Sequence, residues 1–444
     1  MIELDEHSDE LIDGISAPSV AQQQRIQNAL GKRIELTWLS GDRLKIRSGS
    51  YVGVVVLPGG VTIRVRPKIA GGSLGVLTMF ALSSGARLDE LRELTRAVTF
   101  DKSLDTVELM CRLLCAEARR VITHGPIRDY RTTQDDLGFV RGRLDLRRQS
   151  LIHFGQLDRI ACTFDEYDHD IAENRLILDG LTRARRLSRN DSTLATLARL
   201  MTDFDELMGQ HLSQRAPDVD IHYDRRNSHY RPAHIWAKAL LDNLSLLDAP
   251  PADGASTATF MIDMNKLFER FVEWFVDQSI AGTAVTVTKQ KSDFAKIRVD
   301  QAQPRAMIPD LVLWRGERHL AVDVKYKIIA VNKVSIDDLY QLLIYAQSYL
   351  GFNDIPTAMI VLPTVEQTPQ SSLVELTLRA TDGSNTSTRV EVFGLPLPAL
   401  VSELTQSSNL LLLEYSKKFK QMAQLDTEDD RLVGPAQTAF KSTA

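Results

Sequence analysis

The chain has 444 residues, 43% hydrophobic and 25% charged, close to the averages of soluble globular proteins, which excludes a single small module and a globally disordered chain. Against 58 Asp and Glu stand 53 Lys and Arg, a net charge of −5. No overall basic excess marks a nucleic-acid binder, so any contact with DNA must be a local patch or be borrowed from a partner.

The chain starts with Glu3, Asp5, Glu6, Asp9, Glu10 and Asp13 and no Lys or Arg, the reverse of a signal peptide's basic start. Residues 1–24 read as an acidic flexible tail, or as an acidic arm that docks a partner. The segments 34–38, 44–46, 51–57 and 61–66 read as strands of one small antiparallel sheet, broken by Gly41-Asp42, Ser48-Gly49-Ser50 and Gly59-Gly60. Gly59-Gly60 is a finger tip or a hairpin turn. From 74 to 122 the apolar spacing is helical, with Leu104, Val107, Leu109, Leu113 and Leu114 on one helix. Cys111 and Cys115 lie there at i, i+4, as buried small hydrophobes or, alternatively, a metal pair. With Cys162 they are too few for a disulfide framework and fit a reducing, cytoplasmic compartment.

Arg128, Arg131, Arg141, Arg143, Arg147 and Arg148 form a basic stretch, either a solvated or partner-facing surface or a phosphate contact. The run from Asp165 to Asp170 precedes a helical pattern, so its acids read as stabilised by a helix N-terminus, with a metal cluster as the alternative. Helices continue to about 247, with His229 and His234 structural. Residues 248–257, rich in Pro, Gly and Ala, mark a domain boundary. Beyond it, helix is expected over 261–280, strands over 285–288, 308–314, 319–326 and 358–362, and helix over 338–349. Strands near 373–378 and 389–393, a helix over 400–422 and a frayed tail from 426 complete the reading. No apolar run approaches the roughly 20 residues that span a bilayer, so no membrane partner is expected.

The chemistry concentrates in the second half. Pro309-Asp310 opens one strand, and after the turn Arg315-Gly316-Glu317 comes Asp323-Val324-Lys325-Tyr326-Lys327, so a hairpin brings Asp310 and Asp323 together. Strand alternation puts Asp323, Lys325 and Lys327 on one face, which is costly on an apolar strand unless the charges are paired or used. Carboxylates are hard oxygen ligands for Mg²⁺, and a neighbouring lysine can orient water and neutralise charge on a phosphate.

This pattern resembles the PD-(D/E)XK nuclease superfamily, in which Glu269, on the helix upstream, would add an acid. Gln341 and Tyr345, at i, i+4, would support the site as in its RecB-like branch. The resemblance narrows to the McrC family of McrBC-type modification-dependent restriction systems through Asp323–Lys327, Met264-Asn-Lys-Leu-Phe-Glu269, the segment from Cys162 to Arg175, and the segment from Ile63 to Ile69. It implies an α+β multidomain fold: a β-rich and helical partner-binding finger region over 25–250, and a PD-(D/E)XK nuclease domain over 256–425 with a mixed sheet flanked by helices. It implies a Mg²⁺-dependent endonuclease, with Mn²⁺ as a substitute, whose metal is held by Asp310, Asp323, the Val324 carbonyl and, as a further acid, Glu269. The implied partner is an McrB-like AAA+ hexamer that binds GTP and reads modified DNA. Consistently, the chain has no G-x-x-x-x-G-K-[ST] loop. The alternatives are a stand-alone RecB-like nuclease, disfavoured by an N-terminal half without a catalytic motif, and a non-catalytic adaptor, disfavoured by the joint presence of Asp310, Asp323 and Lys325.

Overall fold

The structure, a computed structural model, describes residues 1–57, 60–97, 105–156, 158–209, 221–242, 259–288, 296–298, 303, 305–327, 333–349, 355–379, 385–406 and 408–425. The expected boundary at 248–257, the tail from 426 and part of the Gly59-Gly60 break lie outside them. The fold is α+β, in two compact units: the described residues of 1–95 and 261–425 form the first, those between 105 and 242 the second.

The first unit opens with β1 (Ile2–Asp5) and β2 (Asp9–Asp13), where a tail is expected. Helix α1 (Val20–Leu30) follows, closed at its start by a capping box between Ser19 and Gln22. Strands β3 (Ile34–Leu39), β4 (Arg43–Ser48), β5 (Tyr51–Val56) and β6 (Thr62–Arg66) lie where the alternation predicts them. They do not form one sheet. β4 sits between β2 and β3, whereas β6 sits between β1 and β5 in a second sheet completed by β10 (Thr259–Asp263).

The acidic start is the reason for this split. β1 runs parallel to β6 with Glu3 opposite Arg64 and Asp5 opposite Arg66, and Arg64 Nη1 lies 2.6 Å from Glu3 Oε1. In the other sheet Asp9 pairs with Lys45 at 3.1 Å. Such part-exposed pairs stabilise little individually, but they favour this register, which also buries Leu4. The acids therefore complement basic strands instead of extending into solvent. Helices α2 (Gly72–Ser83) and α3 (Leu88–Ala97) follow.

The second unit contains α4 (Thr106–His124), β7 (Asp129–Leu137), β8 (Arg143–Leu144), α5 (Leu146–Ile152), β9 (Ile160–Asp168), α6 (Ala172–Leu187), α7 (Asp191–Met208) and α8 (Arg231–Asp242). Its four long helices pack around Leu114, Ile177, Leu181, Phe204 and Trp236, all buried. Strand β9 lies between β7 and β8.

The first unit resumes with α9 (Met264–Ile280), which starts three residues later than expected because Asp263 caps it, accepting the Asn265 N–H at 3.0 Å. After β11 (Thr286–Thr288) and the short ribbon β12 (Lys296–Ile297) and β13 (Arg305–Ala306) come β14 (Leu311–Arg315), β15 (Arg318–Val324), α10 (Ile336–Tyr349), β16 (Thr357–Thr364), β17 (Gln370–Arg379) and β18 (Asn385–Pro396). They form a mixed six-stranded sheet in the order β11-β14-β15-β16-β18-β17. β14 and β15 are an antiparallel hairpin, while β15 and β18 flank β16 in parallel. β16 is buried at every residue, as a central strand should be, and α10 covers the sheet with Leu342, Tyr345, Ala346 and Tyr349. The helix expected over 400–422 is two, α11 (Leu397–Leu404) and α12 (Leu410–Met422), and at the break Arg92 donates to the carbonyls of Leu404 and Ser408. Among the described residues no helix is long and apolar enough to cross a membrane.

Candidate active site

The β14–β15 hairpin sets the geometry. Asp310 lies just before β14, and its Oδ2 accepts the Val324 N–H at 2.7 Å, which ties it to the end of β15. Asp323, in β15, is 2% exposed. Lys325 Nζ lies 3.0 Å from Asp323 Oδ2, a charge-assisted contact to that buried oxygen. Burial first, and the nearby Asp310 second, push the Asp323 carboxyl up to about 6. Burial alone would lower the pKa of the Lys325 ammonium, but Asp323, Asp310 and Asp338 outweigh it and raise it, so the lysine stays charged.

Beyond β15 the expected shared face divides. Lys325 stays with Asp323, whereas Lys327 turns to α10, its Nζ 3.1 Å from Asp338 Oδ2. Asp338 lies outside the hairpin pattern that brings Asp310, Asp323 and Lys325 together. Ser335 Oγ donates to its carboxylate at 2.6 Å and accepts its N–H at 3.2 Å. Burial works against the Asp338 charge, but Ser335 and Lys327 prevail and lower its pKa. The Ser335-x-x-Asp338 spacing ahead of an apolar run is the signal that could have found it.

Gln341 and Tyr345 do meet. Gln341 Nε2 donates to the Tyr345 hydroxyl at 2.8 Å, and that hydroxyl donates to the Ile308 carbonyl at 2.9 Å. The pair thus anchors the segment that delivers Asp310. Glu269 lies half-buried on α9, next to Phe268, whose ring is centred 5.6 Å from that of Tyr326. Among the described residues no three His, Cys, Asp or Glu side chains gather closely enough to hold a metal ion by themselves. Asp310 and the buried Asp323, two hard oxygen donors at the end of one hairpin, nevertheless fit a divalent cation that completes its shell with backbone oxygen and water.

The other candidates have structural partners. Asp165, Glu166 and Asp168 lie in β9 rather than beside a helix N-terminus, because β7 runs antiparallel with Arg131 opposite Glu166. Arg131 Nη2 is 3.3 Å from Asp168 and 3.4 Å from Asp170, Arg141 is 2.9 Å from Glu166, and Arg175 pairs with Asp170. The basic stretch and the acidic run thus neutralise each other in part, leaving Arg143 and Arg147 exposed. Cys111 and Cys115 are buried free thiols on α4. His234 Nε2 donates to the Glu173 carbonyl at 3.0 Å, and Nδ1 accepts from Tyr223 at 2.9 Å. Burial lowers its pKa to about 4, so it is neutral and structural.

A family model described as "McrBC 5-methylcytosine restriction system component" matches residues 46–355, more than half of the chain. Among solved structures, the chain resembles one in a half-complex from a tetradecameric assembly of Thermococcus gammatolerans McrB AAA+ hexamers with bound McrC. The identity is 19% and the TM-score 0.57, over 95% of this chain and 99% of that one. A cryo-EM structure of the Thermococcus gammatolerans McrBC complex matches at 22% identity and a TM-score of 0.40, over 63% of this chain and 88% of that one. No curated protein matches.

Proposed function

The chain belongs to the family of McrBC 5-methylcytosine restriction system components, and from that premise we propose that it is an McrC-type, Mg²⁺-dependent DNA endonuclease with a PD-(D/E)XK core. The observation that carries the reading is the convergence of Asp310, Asp323 and Lys325 at the end of one hairpin. Asp310 and Asp323 would hold the ion together with the Val324 carbonyl and water, without Glu269, which does not gather with the two aspartates. When bound, Mg²⁺, or Mn²⁺ in its place, supplies Lewis acidity and an activated water. Lys325 neutralises charge that develops on the scissile phosphate and orients the attacking water. Gln341 and Tyr345 hold the Asp310 segment in place, and Lys327 with Asp338 fixes the chain beyond Lys325.

The GTPase belongs to an AAA+ ring of the McrB type, like the one that carries McrC in the Thermococcus assembly. The second unit offers a surface for such a partner. Phe139, Leu146, Leu151, Ile152 and Phe154 are exposed, Phe154 by 88%, and α5 buries none of its residues. The test is cleavage of 5-methylcytosine DNA by the full chain with its ring, GTP and Mg²⁺. Asp323→Asn should abolish cutting and leave ring binding intact; normal cutting by that variant would remove the site.

A further inference from the structure

Glu6 lies at the bend between β1 and β2, 1% exposed. Its Oε1 accepts the N–H of Lys68 at 2.7 Å, the N–H of Ile69 at 2.9 Å and the hydroxyl of Tyr326 at 3.1 Å. The two amides fix the carboxylate to the segment that leaves β6. The third donor comes from the residue between Lys325 and Lys327. There the chain leaves the sheet: the Lys325 N–H, one residue past the end of β15, still donates to the Val361 carbonyl of β16 at 3.0 Å. It then turns tightly, the Lys327 N–H donating to the Lys325 carbonyl at 3.0 Å. Tyr326 is the centre of that turn, so holding its phenol fixes the direction in which the flanking lysines leave the backbone. Glu6 does this at a cost, since its buried Oε2 has no hydrogen-bond partner.

We infer that Glu6 is a positioning residue for the nuclease site, setting through Tyr326 where Lys325 stands relative to Asp310 and Asp323. The inference rests on the nuclease reading above.

The test is steady-state cleavage of methylated DNA by the full chain with its ring partner. Tyr326→Phe keeps the ring and removes only the donor; it should lower kcat about tenfold, with KM for DNA changed by less than about twofold. Glu6→Ala, which loses that bond together with those from the Lys68 and Ile69 amides, should lower kcat at least as much, and the double variant should be no slower than Glu6→Ala, because the bond that Tyr326→Phe removes is already gone. Glu6→Gln, which keeps an accepting oxygen, should stay within about threefold of the parent. Tyr326→Phe at the parent rate, or losses that multiply in the double variant, would overturn the inference. Should Glu6→Ala fail to fold, the Tyr326→Phe rate alone decides. Asp323→Asn run alongside separates the two readings: if it cuts normally the nuclease site falls, whereas an inactive Asp323→Asn beside a fully active Tyr326→Phe removes only the role of Glu6.

Discussion

Asp323 carries the conflicting demands of the site in one carboxyl group. Its value of about 6, raised by burial and Asp310, means that the metal-free folded protein keeps a proton there at pH values where an ordinary aspartate has lost it. A metal bound in the proposed site would have to displace that proton, so its affinity would be full above about pH 6 and fall as the pH drops through it. The Mg²⁺ concentration for half-maximal cleavage should therefore rise between pH 7 and pH 5.5, and a constant requirement would contradict Asp323 as a ligand. Asp310, Asp323 and Lys325 were legible in the sequence because one hairpin and strand alternation bring them together. Glu6 was not, since its partner Tyr326 lies 320 positions away and nothing in either neighbourhood points to the other. Asp338 lies between these cases, marked locally as part of a helix cap but not as the partner of Lys327.

At the level of elements, apolar periodicity located β3, β4, β6 and α9, because each buries one face, whereas β5, β14 and β15, buried at adjacent residues, stood out as apolar runs bounded by turns. It missed β7 and β9, whose pairing is charged: the Asp129–Leu137 strand has no buried residue and carries no apolar alternation to read. Sheet membership was also hidden, since the partners of β4 and β6 came from a segment whose composition resembles a tail. Helix packing is tight enough to test directly. A Cβ on Gly180 of α6 would lie 2.6 Å from the Ala237 Cβ of α8 and 3.3 Å from Leu114 Cδ2 of α4. Alanine there gains about 1 kcal/mol of helix propensity, but overpacking costs about 1–3 kcal/mol. Gly180→Ala should therefore lower the melting temperature of the full chain, and an unchanged or higher value would show that α6 and α8 can separate without loss.

Across the whole molecule, the first unit is discontinuous, with residues 1–95 and 261–425 belonging to one compact body. A cut near residue 250 would divide that body, so fragments made there cannot report cleanly on cleavage or on ring binding. Point substitutions can. Leu151→Ser with Phe154→Ser, both at exposed positions, should leave stability within about 0.5 kcal/mol of the parent. Ring binding, measured by titration, should weaken by tenfold or more if this surface is an anchor, at roughly 1.4 kcal/mol per tenfold. Undiminished binding would place the ring elsewhere. The tie between Glu6 and Tyr326 also bears on how the protein is made. A ribosome delivers Tyr326 a full 320 residues after Glu6, with the entire second unit between them, many seconds later at roughly 5–20 residues per second. With the proposed site, a nascent or prematurely terminated chain ending before Asp323 would hold no assembled cutting centre, and a cell making the protein would be spared half-finished nucleases.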